Sequence, residues 1–308
     1  MLAALAGGVG AARFLCGLVG VVDPATVTAI VNTGDDDEFH GLWVCPDLDS
    51  VTYALAGANN PETGWGLAGE SFHTIDALDR YGAPTWFRLG DRDLATHLHR
   101  TRLLAEGVTL SEVTARLASD LGARHRVRPM SDQPVRTRLL GPDGWLTFQE
   151  YFVREKTQVE VREVEYTGAA AAAPAPGLLE AILEADAVIV CPSNPVTSIG
   201  PILAVPGIAD TLEASRATVL AVSPIIGGAA VSGPAGRLMA MRGLEVSALG
   251  VAAAYAPWLD LLVIDQIDAG LAPRFEANGV RPIVADIVMR GLQEEVALAE
   301  RGLAAALV

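Results

Sequence analysis

Apolar residues along this chain gather into short unbroken runs at both ends and into amphipathic stretches in between. The runs "LAALA" (2–6), "TVTAIVN" (26–32), "AVIVC" (187–191), "TVLAVS" (218–223), "VSALGV" (246–251) and "LLVID" (261–265) show no alternation. Continuous runs of this length, with Gly, Pro, Ser or Asn after several of them, suit strands of a parallel sheet covered on both faces. Helix-length segments separate them, including "LLEAILEAD" (178–186). The opening reads as strand 2–6, turn "GGVG", helix 11–20 and a second strand, a β-α-β unit. The middle differs: 92–105 and 110–121 have the period of amphipathic helices, and "RTRLLG" and "WLTFQEYFV" are strands joined at Pro142-Asp143-Gly144, a hairpin signal. The expected fold is therefore α/β. Residues 1–60 and 170–308 form a Rossmann-like parallel sheet with helices on both faces, and 61–169 form an inserted α+β cap region.

Composition narrows the partners. With 22 basic and 37 acidic residues, a formal charge of -15 disfavours nucleic acid and anionic membrane surfaces. Lys156 is the sole lysine, so a Walker-type phosphate loop is excluded, and its polar surroundings "VREKTQVEVREVE" read as a solvated strand rather than a Schiff-base site. Cys16, Cys45 and Cys191 are far apart and form no CxxC pair, which fits a reducing, cytoplasmic setting. The apolar N-terminus lacks a basic leader region and turns at its glycines where a strand gives way to a helix, so it belongs to the fold. No apolar run is long enough for a membrane span.

Five segments carry chemistry. "VNTGDDDEFHGLWVCPDLDS" (31–50) packs Asp35, Asp36, Asp37, Glu38, Asp47 and Asp49 together, and charges this close need solvent or a cation. Asp47 and Asp49 share a face if "PDLDS" is extended and spread apart if it begins a helix; either could instead cap the helix "SVTYALAG". Gly7, Gly8 and Gly10 lie between strand and helix, where backbone amides receive phosphate, although GxGxxG spacing is absent and a purely structural turn is the alternative. "CPSNPVTSIGPILAVPG" (191–207) and "SPIIGGAAVSGPAG" (223–236) follow strands and suit a nucleotide crevice. In "WFRLGDRDLATHLHRT" (86–101), His97 and His99 would point to different helix faces and make a poor metal pair.

"GGVGAARFL", "VCPDLDSVTYAL", "LGDRDLATHLHRT", "PMSDQPV" and "PSNPVTSIGPILAVPGI" with "SPIIGGAAVSGPAG" together resemble the 2-phospho-L-lactate transferase family of coenzyme F420 biosynthesis, over nearly the whole chain. The resemblance implies transfer of a 2-phospho-L-lactate or phosphoenolpyruvate group from a GMP-linked diphosphate (lactyl- or enolpyruvyl-diphosphoguanosine) to the ribityl hydroxyl of the deazaflavin Fo. F420-0 or dehydro-F420-0 and GMP result. It further implies Mg²⁺, a homodimer, Asp49 and Arg88 at Fo, Gly8 and Gly10 at the donor phosphates, and Ser193, Asn194 and Ser198 toward the guanosine. On this basis Asp49 and Asp36 are the expected catalytic residues, and Asp49 and Asp47 the expected metal ligands. An NAD-dependent oxidoreductase and a non-catalytic nucleotide-binding protein are the alternatives.

Overall fold

A computed structural model describes residues 1–307. Seven parallel strands form the main sheet: β1 (Leu2–Ala6), β2 (Val27–Val31), β3 (Arg126–Pro129), β4 (Ala187–Val190), β5 (Thr218–Val222), β6 (Leu261–Asp265) and β7 (Arg281–Ala285). They run β3-β2-β1-β4-β5-β6-β7 across the sheet, the doubly wound order extended by one strand. In register, Ala4 of β1 faces Ala29 on one side and Ile189 on the other.

Successive side chains of a strand point to opposite faces, and here both faces are buried. Leu5, Ile30, Val188 and Leu262 join one apolar cluster, while Ala4, Ala29, Ile189 and Val263 join another. On the second face lie α1 (Gly8–Val19), α2 (Pro46–Leu55) and the last helix, which contribute Phe14, Leu15, Leu48, Val51, Leu298 and Leu303. This arrangement accounts for the unbroken apolar runs, because each residue of such a strand is covered. No single helix among the described residues is long and apolar enough to cross a membrane.

Outside the sheet, α3 (Asp91–Ala105) and α4 (Leu110–Asp120) occupy the two amphipathic stretches. Arg136–Gly141 pairs with Gly144–Thr147 and with Glu163–Thr167 in a small antiparallel sheet, with the turn at Pro142-Asp143 as expected. Four elements differ from the sequence reading, the first being "WLTFQEYFV", whose strand ends at Thr147 and whose Glu150–Arg154 part is a helical turn. Strand β3 comes from the stretch assigned to the cap and instead extends the main sheet beside β2, so the sheet is not confined to 1–60 and 170–308. "VSALGV" is not a strand. Its Ser247 side chain accepts a hydrogen bond from the Gly250 amide and starts an apolar, Ala-rich helix, Ala248–Tyr255. The edge strand β7 carries Arg281 and Pro282, which hid it among loop-like residues.

Candidate active site

Strand order reverses between β1 and β4, and the loops leaving their carboxyl ends diverge there, which is where doubly wound sheets place ligands. From β1 the chain enters α1 through Gly7 and Gly8. Gly8 has φ +76°, and the space its side chain would fill is open. Gly10 serves packing instead. A Cβ there would lie 2.6 Å from the Pro192 carbonyl oxygen, so its lack of a side chain lets α1 pack on the loop after β4. That loop is locked to β1 by Ser193, whose hydroxyl donates to the Gly7 carbonyl at 2.9 Å and accepts from the Gly7 amide at 3.3 Å. The Asn194 side chain caps the following turn by accepting from the Val196 and Thr197 amides, and its buried Nδ2 has no partner. Ser198 is buried against Gly7.

The acidic stretch enters from β2. Asn32, fully buried at the strand end, donates to Asp47 Oδ2 at 2.9 Å and to the Thr197 carbonyl at 3.3 Å, and accepts from the Gly34 amide at 2.7 Å. One side chain thus ties together β2, α2 and the loop after β4. Asp35 and Asp36 then turn inward and are buried, whereas Asp37 is partly exposed and its carboxylate accepts from the Glu38 amide. Asp35 Oδ1 and both carboxylate oxygens of Asp36 have no hydrogen-bond partner. Burial pushes the Asp36 carboxyl up to about 7 against the pull of Arg136, and pushes Asp47 up to about 6. Burial and the neighbouring Asp47 raise Asp35 as well.

"PDLDS" is the first turn of α2 rather than an extended segment, and this separates the two expected metal ligands. Positions two apart on a helix point to nearly opposite sides. Asp47 turns toward Asn32 and the glycine loop, and Asp49 turns toward α3, so they do not form the expected pair. Neither carboxylate caps the helix, whose N-cap residue is Cys45.

On α3, Asp93, His97 and Arg100 share one buried face at helical spacing. Both terminal nitrogens of Arg100 bond the Asp49 carboxylate, one at 3.1 Å. His97 lies between the two acids, with Nδ1 3.7 Å from Asp49 Oδ2 and Nε2 3.4 Å from Asp93 Oδ1. Tyr53 of α2 donates its hydroxyl to Asp93 at 2.6 Å. Burial works against both charges, but Asp49 outweighs it to raise Arg100, and hydrogen bonding and attraction from His97 hold Asp93 below its ordinary value. Ligand atoms of Asp49, Asp93 and His97 lie within 4.8 Å of one another and could hold a metal ion. His99 does not join them. Arg88 lies elsewhere on the surface, half-exposed, pairing with Asp76 at 3.0 Å and resting over the Phe72 ring. The sequence singles out His97 only as half of an unsuitable pair with His99, and gives Tyr53, Asp93 and Arg100 no role in the site. The 93/97/100 spacing was the available signal, but only the facing Asp49 gives it meaning.

Residues 2–301 match the family model described as 2-phospho-L-lactate transferase CofD. The chain belongs to the CofD family. Similar CofD-family relatives span essentially its full length. A phosphoenolpyruvate transferase of Kitasatospora aureofaciens is 45% identical over 99% of this chain and 97% of its own. One of Streptomyces griseus is 44% identical over 97% and 96%. A 2-phospho-L-lactate transferase of Methanosarcina barkeri is 40% identical over 96% and 94%. Like these relatives, this CofD-family protein is a transferase. Among solved structures, the UPF0052-family protein BH3568 of Bacillus halodurans shares the fold, with TM-scores of 0.63 and 0.67 in two crystal structures at 18% and 20% identity, over 98% of both chains.

Proposed function

We propose that this CofD-family transferase moves a phosphoenolpyruvate group from enolpyruvyl-diphosphoguanosine to the ribityl hydroxyl of Fo, releasing GMP and giving dehydro-F420-0. The observation that carries the reading is the set of partnerless carboxylate oxygens on Asp35 and Asp36, in the loop leaving β2 beside the sheet's switch point. Buried acids without partners beside an anion-receiving loop suit a divalent cation, which Asp35 and Asp36 would hold. Oxygen-only donors suit Mg²⁺ there, and better than the Asp49, Asp93 and His97 group, where Arg100 already neutralises Asp49. Bound Mg²⁺ would supply charge neutralisation for the diphosphate.

The protein's own groups do the rest. Amides around Gly8 receive the donor phosphates; Ser193 holds that loop in place, and Asn32 ties the neighbouring loop after β4 to the end of β2. Asp49, fixed by Arg100, accepts a hydrogen bond from the ribityl hydroxyl and aims its oxygen at the β-phosphorus. The new P–O bond forms as the bond to GMP breaks, and the hydroxyl proton passes to the Asp49 carboxylate and from there to solvent. Such transfers demand more from positioning than from a strong base, which an ion-paired carboxylate can provide.

The choice of enolpyruvyl donor rests on similarity: relatives named phosphoenolpyruvate transferase are 44–46% identical, and those named 2-phospho-L-lactate transferase 37–40%. Incubation with Fo, Mg²⁺ and each donor, followed by product mass, tests it. A product two hydrogens lighter than F420-0 is expected, and exclusive formation of F420-0 would overturn the donor assignment.

A further inference from the structure

Between α2 and the helix His73–Arg80 the chain makes a closed excursion, residues 58–68. Asn59 bridges to Leu67, and the Ala68 amide donates to the Ala58 carbonyl at 2.8 Å. Inside, the Gly64 amide donates to the Asn60 carbonyl and the Asn60 amide to the Gly66 carbonyl. Leu67, 7% exposed, anchors it. A short segment with joined ends and its own hydrogen bonds is an Ω-loop. Left-handed glycines border it, Gly57 at φ +65° and Gly69 at φ +68°, and such positions absorb backbone rotation at low cost.

The loop's tip rests on the phosphate-receiving turn. Gly64 approaches so closely that a Cβ there would lie 2.7 Å from Val9 Cγ1, and Val9 sits between Gly8 and Gly10. The next residue, Trp65, leaves 46% of its surface exposed. Its ring contributes little to the core where it stands. The base of the loop is fixed more firmly: Arg92 donates to the Ala68 carbonyl, and the Glu70 carboxylate accepts from the Arg92 and Asp93 amides at 2.8 Å each. One end of the excursion is therefore attached to the start of α3, the helix that positions Asp49.

We propose that residues 58–68 form a strap that closes over a donor bound at the Gly8 turn, and that Trp65 covers its diphosphate and keeps water from the β-phosphorus. The inference rests on the donor reading given above. Water competes with the ribityl hydroxyl for the same phosphorus: its oxygen would form the new P–O bond, GMP would leave, and free phosphoenolpyruvate would result in place of dehydro-F420-0. Closing an apolar cover over a reacting group suppresses that side reaction.

GDP with Mg²⁺ is a stable probe of closure. On saturation, amide hydrogen exchange across 60–66 in the wild-type protein is expected to slow about tenfold or more. Trp65→Ala should abolish that protection and weaken GDP about 3- to 10-fold, with Trp65→Phe retaining most of both. During turnover with Fo, Trp65→Ala should also release more phosphoenolpyruvate per dehydro-F420-0 formed, a ratio that simple structural damage would not shift. Unchanged exchange at 60–66 with GDP binding verified by calorimetry would overturn the strap, as would a wild-type product ratio in Trp65→Ala. Absence of calorimetric GDP binding would instead reject the donor reading, and the strap with it.

Discussion

Asp49 and Arg100 stand 51 residues apart in sequence and meet as a two-pronged ion pair between α2 and α3, largely buried, with the Asp49 side chain 9% and the Arg100 side chain 2% exposed. A pair this buried costs much desolvation, and removing one partner leaves the other charge uncompensated. The same contact that fixes the candidate acceptor-orienting group therefore also holds the two helices in register.

Arg100→Met should destabilise the fold by about 3–5 kcal/mol in urea titrations. Asp49→Asn should lower turnover about 100-fold and, because Arg100 loses its counter-charge, lower the melting temperature too. Joint replacement, Asp49→Leu with Arg100→Met, should recover most of the stability without any activity. Wild-type stability in Asp49→Asn would show that the pair contributes little to the fold.

Asp36 gives the opposite stability result. Its carboxyl keeps a proton to about 7 in the folded protein, against 3.8 for an ordinary aspartate, so between those values the folded state binds more protons than the unfolded one. Stability contributed by this group is full below about pH 4 and is lost as pH rises through about 7, on the order of 4 kcal/mol. Asp36→Asn should remove this loss, making the variant more stable than wild type at pH 8 in metal-free buffer while impairing turnover. Parallel urea titrations at pH 5 and pH 8 measure the difference between the two proteins, and an identical pH slope in both would refute the assignment.

Gly8 and Gly10 should separate binding from folding. Gly10→Ala forces a methyl group against the Pro192 carbonyl, backbone that cannot swing aside, and should lower the melting temperature along with every ligand affinity. Gly8→Ala meets no neighbour but must hold a left-handed backbone, costing about 1–2 kcal/mol. Its larger effect is expected on GDP affinity, measured by calorimetry.

Arg88→Ala should leave stability within about 1 kcal/mol, since its partner Asp76 is also largely exposed. Fo affinity, followed by deazaflavin fluorescence, is expected to fall while GDP affinity holds. Unaltered Fo binding would make Arg88 a surface ion pair and nothing more.

By itself the sequence determined the α/β architecture, because strands covered on both faces must be written as unbroken apolar runs and the helices between them as amphipathic ones. It also brought the glycine turn, the acidic stretch and the "PSNP" loop to one edge of the sheet, since each follows an apolar run and so had to lie beyond a strand's carboxyl end. Tertiary structure alone decided the rest. An apolar run such as "VSALGV" serves a buried helix as well as a strand, and its Ser247 cap made it a helix. The Arg126–Pro129 strand has too few apolar residues to declare itself, and only pairing with β2 made it part of the sheet. Which acids face inward depended on α2 beginning at Pro46, which sends Asp47 to Asn32 and Asp49 to Arg100. Proximity across 51 residues leaves no local pattern in the chain, because it is produced by the packing of one helix against another.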